Sequence, residues 1–148
     1  MLPLQSLSLV PMTYDIHDDM TRDEAGFVQK KLVEFSDQFT PPRNYREIGV
    51  VLRDAQGKVS GGVVANTVWD WLQIGVLWLP EELRGQGHGH RLLKRVEVLG
   101  RANGCRHAKL DTFDFEARAF YESHGYVVRS HTANFPQGHT QYHLAKDL

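Results

Sequence analysis

Apolar positions in this chain recur with two periods, and the period switches from one segment to the next. Leu7 to Pro11 alternates apolar and polar, as a half-buried strand does. Thr21-Arg22-Asp23-Glu24 then spells a capping box, with Thr21 as N-cap and Glu24 at N3. Val28, Leu32, Phe35 and Phe39 follow at helical spacing, and Pro41-Pro42 stops the helix. Glu47 to Arg53 and Val59 to Val68 read as a hairpin around Asp54-Ala55-Gln56-Gly57, whose glycine supplies a positive φ. Trp71 to Leu79 is an almost unbroken apolar run, which predicts a central strand covered on both faces. Leu92, Leu93, Val96 and Leu99 form a second helical stripe that ends at Asn103-Gly104, and Ala108 to Thr112 returns to strand, so a βαβ unit is expected. Asp114 is expected to cap a short helix that carries Ala117, Phe120 and Tyr121 and closes at Gly125. Tyr126 to Ser130 and Thr140 to Ala145 are the last strands. Antiparallel strands first and a βαβ unit later predict an α/β (α+β) fold: a mixed, mostly antiparallel sheet flanked by helices.

Composition narrows this picture. With 148 residues, 41% hydrophobic and 24% charged, the chain suits one domain over residues 1–148. Such a chain buries roughly 68–70% of its unfolded surface and needs no disulfide or structural metal. The lone Cys105 cannot form an internal bridge and points to a reducing, cytoplasmic setting. The start, Met1-Leu2-Pro3-Leu4-Gln5, lacks a basic n-region, and no run of 18 apolar residues occurs, so neither secretion nor membrane insertion is expected. A net charge of −1 carries no basic footprint for nucleic acid and leans toward a small-molecule partner. The 8 histidines are less ordinary, because all but His17 lie at or beyond His88.

The chemistry sits between the central strand and the long helix, in Arg84-Gly85-Gln86-Gly87-His88-Gly89. Its three glycines let the backbone turn tightly and present successive N–H groups to an anion, and the helix N-terminus adds the positive end of its dipole. Pyrophosphate is the natural guest. A Rossmann fingerprint would need glycine at the sixth position from Gly85, where His90 stands, and the Gly-Lys-Ser/Thr ending of a P-loop is missing.

The pattern Arg-x-x-Gly-x-Gly, preceded by Leu77-Trp78-Leu79 and followed by a leucine-rich helix, resembles the acetyl-CoA signature of the GCN5-related N-acetyltransferase (GNAT) superfamily. A second block, Asp114-Phe115-Glu116-Ala117-Arg118-Ala119-Phe120-Tyr121-Glu122-Ser123-His124-Gly125-Tyr126, resembles that family's later Asn-x-x-Ala-x-x-Phe-Tyr-Glu-x-x-Gly-Phe motif. The resemblance runs from about Arg46 to the C-terminus. It implies direct acetyl transfer from acetyl-CoA to a primary amine in a ternary complex, with no metal. Main-chain groups of Leu77, Trp78 and Leu79 would meet the pantetheine, and those of Arg84, Gly85, Gln86, Gly87, His88 and Gly89 would hold the pyrophosphate. A backbone N–H near Leu79 would stabilise the oxyanion, and Tyr121 would protonate the departing thiolate. A homodimer would be usual for small family members.

Two departures from the family pattern matter. Asp114 stands for a frequent Asn, and an ionised carboxylate cannot donate a hydrogen bond. Gly75 stands where many relatives carry a glutamate base, and the neighbouring Gln73 cannot titrate. Asp111 is one replacement, with capping of the next turn as its other role. The acceptor site is expected from the first helix, the segment from Ser36 to Arg46 and the strand around Trp69, where Tyr45, Trp69 and Trp71 would form an aromatic wall. The alternative to an enzyme is a catalytically silent acyl-CoA-binding or dimerisation module. A metal reading would rest on His88-x-His90 and His139-x₃-His143, which lack a cysteine and a shared helix face.

Overall fold

A computed structural model describes residues 12–148. The strand expected over Leu7 to Pro11 lies outside the described residues. The chain forms two compact units, one up to Thr40 and one over Pro41–Leu148.

In the first unit, α1 spans Arg22–Asp37 and begins with the expected capping box. The Thr21 N–H donates to the Glu24 carboxylate at 2.7 Å, and the Glu24 N–H donates to Thr21 Oγ1 at 3.2 Å. Hydrogen bonding of the carboxylate by the Thr21 backbone N–H first, and by the Thr21 side chain second, holds the Glu24 carboxyl below its usual range. The helix ends one turn before the prolines, so Phe39 lies past its last residue. No residue of α1 is buried, and its apolar stripe of Val28, Leu32 and Phe35 is exposed.

The second unit holds strands β1 (Arg46–Arg53), β2 (Val59–Val68), β3 (Trp71–Trp78), β4 (His107–Phe113), β5 (Val127–Ala133) and β6 (Thr140–Asp147). Between them lie a 3₁₀ turn over Glu81–Leu83, α2 (His88–Ala102) and α3 (Arg118–Ser123). The sheet order is β1-β2-β3-β4-β6-β5, and only β3 and β4 run parallel. This is the expected mixed, mostly antiparallel sheet with helices. The hairpin turn has Gly57 at φ 82, and Asp54 Oδ1 accepts from the Gln56 and Lys58 N–H groups at 2.9 Å.

One face of the sheet builds the core with α2. Leu92, Leu93 and Val96 of α2 bury against Val63, Ala65, Leu72, Ile74, Ala108, Leu110 and Leu144. Each such large side chain contributes about 1.5–3 kcal/mol of transfer free energy. Gly100 permits close approach of helix and sheet, since an added Cβ would stand 3.1 Å from Leu72 Cδ2. Glu97 is fully buried in this layer and accepts from Tyr126 Oη at 3.0 Å and from Lys146 Nζ at 2.8 Å. That pair ties α2 to β6 and to the start of β5. Asn103 and Gly104, at φ 86, end α2 as expected.

The central strand departs from its expected coverage. Leu72 and Ile74 are buried, but Val76 and Trp78 are 56% and 55% exposed. The β3–β4 ladder pairs Trp71 through Ile74 with His107 through Leu110 and stops there. On the other side, Val64 pairs with Val76 and Ala65 with Ile74, which leaves Gly75 as the extra residue of a bulge. The apolar second half of β3 is therefore the wall of an opening rather than buried core.

Candidate active site

The opening between β3 and β4 continues into a cleft of about 720 Å³, within the usual size of a small-molecule site. The open half of β3, Gly75 through Leu79, forms one wall, and Leu110 and Asp111 of β4 face it. The floor and far side come from the glycine turn and from the segment Glu116 to Tyr121.

The glycine turn is shaped by its backbone. Gly85 has φ 69 and Gly87 has φ 87, both left-handed, and Gly87 is the N-cap of α2. An added Cβ at either would meet nothing within 4 Å, so the protein leaves open space over the main chain there. The first N–H groups of α2 have no partner within the helix, whose ladder begins with Arg91 N–H to Gly87 O at 3.1 Å. Unpaired donors, the dipole end and free space together fit a bulky anion such as pyrophosphate.

The individual residues divide as follows. Leu77, Trp78, Leu79, Arg84, Gly85, Gly87 and Gly89 line the cleft. Arg84 spends its backbone N–H on Glu81 O at 3.1 Å and its Nε on Leu79 O at 3.0 Å, so it braces the end of β3. Gln86 turns away, donating from Nε2 to Glu82 O at 2.7 Å, and His88 is the first residue of α2. The aromatic wall of Tyr45, Trp69 and Trp71 is not among the lining residues. Trp69 lies in the β2–β3 turn rather than in a strand, with Nε1 donating to Pro41 O at 3.1 Å, and Trp71 stacks on His107 at 4.7 Å.

Tyr121 lies on α3, lines the cleft and is 7% exposed. Burial, with the nearby Glu116 charge added, pushes its phenol up to about 12. Tyr121 therefore holds its proton at neutral pH, as an acid must. Asp114 does not cap α3: that helix starts after Ala117, and the Asp114 carboxylate accepts from His139 Nδ1 at 2.9 Å and from the Thr140 N–H at 3.2 Å. Its acceptors are satisfied by the start of β6, which overrides local capping propensity.

Sequence reasoning gives no role in the cleft to Glu116 or His90 and leaves that of Asp111 open; all three line it. Glu116 accepts from Thr112 Oγ1 at 3.2 Å, which brings a carboxylate next to Tyr121. Asp111 accepts from His143 Nδ1 at 2.7 Å instead of capping a turn. His90, in the first turn of α2, is held by α3: the Phe120 carbonyl can only accept, so His124 Nδ1, 2.7 Å away, carries the hydrogen. The other ring nitrogen of His124, Nε2, pairs with His90 Nδ1 at 2.8 Å. Asp111 is a candidate from its place on the strand after α2, but the partners that hold these groups lie up to 34 residues apart, beyond the reach of local spacing.

Comparison with known proteins agrees with this geometry. Residues 11–126 match the profile of the Acetyltransferase (GNAT) family, and the chain belongs to that family. It is an N-acetyltransferase, and membership implies use of acetyl-CoA. Blasticidin-S acetyltransferase of Streptomyces morookaense is 36% identical over 94 residues, which cover 63% of this chain and 69% of that one. The crystal structure of an acetyltransferase from Bacillus cereus ATCC 14579 is 30% identical with a TM-score of 0.86, covering 90% of this chain and 98% of the other. Nourseothricin acetyltransferase shares the fold, with a TM-score of 0.61 at 20% identity over 68% of this chain and 65% of the other.

Proposed function

We propose that this enzyme moves the acetyl group of acetyl-CoA directly to a primary amine of a small molecule within one ternary complex. The observation that carries this reading is the convergence of three features on one cleft: the glycine turn at the α2 N-terminus, the open half of β3 and the protonated Tyr121. Acetyl-CoA supplies an activated thioester when bound.

The chain's own residues do the rest. Gly85, Gln86, Gly87, His88 and Gly89 hold the pyrophosphate with main-chain N–H groups. Leu77, Trp78 and Leu79, left without a β4 partner, offer backbone groups to the pantetheine amides. A backbone N–H near Leu79 faces the developing oxyanion, and Tyr121 gives its proton to the departing sulfur. Among the described residues no cysteine or serine lines the cleft, and the lone Cys105 is buried outside it, which favours direct transfer over a covalent enzyme intermediate.

The acceptor reading rests on charge and on relatives. Asp111 and Glu116 bring two carboxylates to the cleft and so favour a cationic amine. Relatives named for blasticidin S and nourseothricin act on small molecules, which supports an acceptor of that class. The test is CoA release from acetyl-CoA with a panel holding blasticidin S, nourseothricin, spermidine, single amino acids and a lysine peptide. Turnover with a small amine is expected. Binding of acetyl-CoA with no transfer to any of them would contradict the proposal.

A further inference from the structure

We infer that Asp111, held in place by His143, is the group that takes the proton from the acceptor amine. The inference rests on the acetyl-transfer reading above and supplies the base that reading lacks. The last paired residues of β3 and β4 are Ile74 and Leu110, so the first positions past the split are Gly75 and Asp111. The strand that presents bare backbone at the opening thus faces a carboxylate across it. Asp111 lines the same cleft as Tyr121.

The pleat and the ladder fix this carboxylate. Ala108, Leu110 and Thr112 are buried on one face of β4, so Asp111 emerges on the other, with His107, Lys109 and Phe113. His143 is its direct partner in the β4–β6 ladder, and Asp111 Oδ1 accepts from His143 Nδ1 at 2.7 Å. The far ring nitrogen, Nε2, is 3.2 Å from Thr132 Oγ1 on β5, so the imidazole is anchored at both nitrogens. Asp111 Oδ2 has no partner among the described residues and is free to meet an N–H. The side chain is 57% exposed, which gives substrate a way in and protons a way out. Among the described residues there are two similar pairs, His107 with Asp147 at 2.7 Å and His139 with Asp114 at 2.9 Å, but neither aspartate lines the cleft.

In the reaction, one ammonium proton passes to Asp111 Oδ2, and the freed nitrogen lone pair forms the bond to the thioester carbon. The C–S bond breaks with its electron pair on sulfur, which takes the Tyr121 proton. The nitrogen, made acidic by its new bond, returns a second proton to the Tyr121 phenolate. The proton on Asp111 leaves to water, so one acetyl group moves and one proton is released. Asp111 and Tyr121 are catalytic residues, and His143 is a positioning residue.

The test is steady-state CoA release with blasticidin S or spermidine, whichever the wild-type enzyme turns over faster, together with calorimetric titration of acetyl-CoA. Asp111→Asn is expected to lower kcat by about 10²–10³-fold at pH 7, the size of a lost proton-transfer group, with acetyl-CoA affinity unchanged. The deficit should shrink as pH is raised toward the amine's own range, near 10 for a lysine-like amine, because solvent then supplies the free base. Tyr121, at about 12, keeps its proton throughout. The neighbouring titratable groups are Lys109 on β4, Glu116 before α3 and Arg129 at the β5 bulge, and all are unchanged in the variant. A kcat at the wild-type level, a rise in KM alone, or a deficit equal at every pH would each overturn the inference. His143→Leu, which keeps the carboxylate, should lower kcat less and leave acetyl-CoA binding intact; an unaltered kcat would remove its positioning role. A wild-type enzyme inactive with every amine would overturn the acetyl-transfer reading instead.

Discussion

The two halves of β3 are equally apolar in sequence and opposite in fate. Trp71 through Ile74 is hydrogen-bonded to strands on both sides, and Leu72 and Ile74 are buried under α2. Past the Gly75 bulge, Val76 through Trp78 pairs with β2 alone and turns its other edge to the cleft. The first half stabilises the fold, whereas the second holds unpaired backbone and apolar surface ready for a ligand. One unpaired residue separates them, and hydrophobicity alone does not tell them apart.

The largest expected effect lies in the open half. Tyr121→Phe should lower kcat by about 10²–10⁴-fold, the usual contribution of one acid, with little change in acetyl-CoA affinity. Stopped-flow and steady-state CoA release check this, and unchanged turnover would remove Tyr121 from the chemistry. In the closed half, Leu72→Ala should cost about 2–5 kcal/mol in urea melts, because it empties a fully buried site against Gly100. Val76→Ala, half-exposed, should cost less than about 1 kcal/mol while weakening acetyl-CoA binding. Equal stability losses at the two positions would erase the distinction.

Smaller in stability than Leu72→Ala but decisive for binding is Gly87→Val. A β-branched residue at φ 87 is strained by about 1–2 kcal/mol and fills the space above the phosphate-binding N–H groups. Loss of acetyl-CoA binding in calorimetry is expected, and wild-type affinity would refute the cradle. A further effect is in alkaline stability. Folded Tyr121 keeps its proton up to about 12, whereas the unfolded phenol loses it near 10, so stability should decline as pH rises between those values. Tyr126, also pushed up by burial and by Glu97, adds to this decline. Thermal melts should show a shallower loss for Tyr121→Phe than for the wild type.

Much of this was legible because local rules and the global fold agree. The Thr21 capping box, the Gly57 hairpin and the Asn103-Gly104 cap each lie within a few residues of what they control. The glycine turn was readable for the same reason, since three glycines before a helix state their backbone geometry directly. What failed to show depends on distant partners. The Gly75 bulge exists only relative to the register of β2, and Asp111 meets a histidine 32 residues away. Asp114 carries a capping residue's chemistry but meets His139 and Thr140 first. The histidine excess resolves in the same way: His107, His139 and His143 each sit against an aspartate.

The division of β3 is tested most directly by hydrogen–deuterium exchange with and without acetyl-CoA. Protection should rise at Val76 through Leu79 and at Gly85 through His90, while Trp71 through Ile74, already paired on both sides, should not change. Saturating acetyl-CoA that leaves the open half and the glycine turn unprotected, or that protects both halves of β3 alike, would contradict the account.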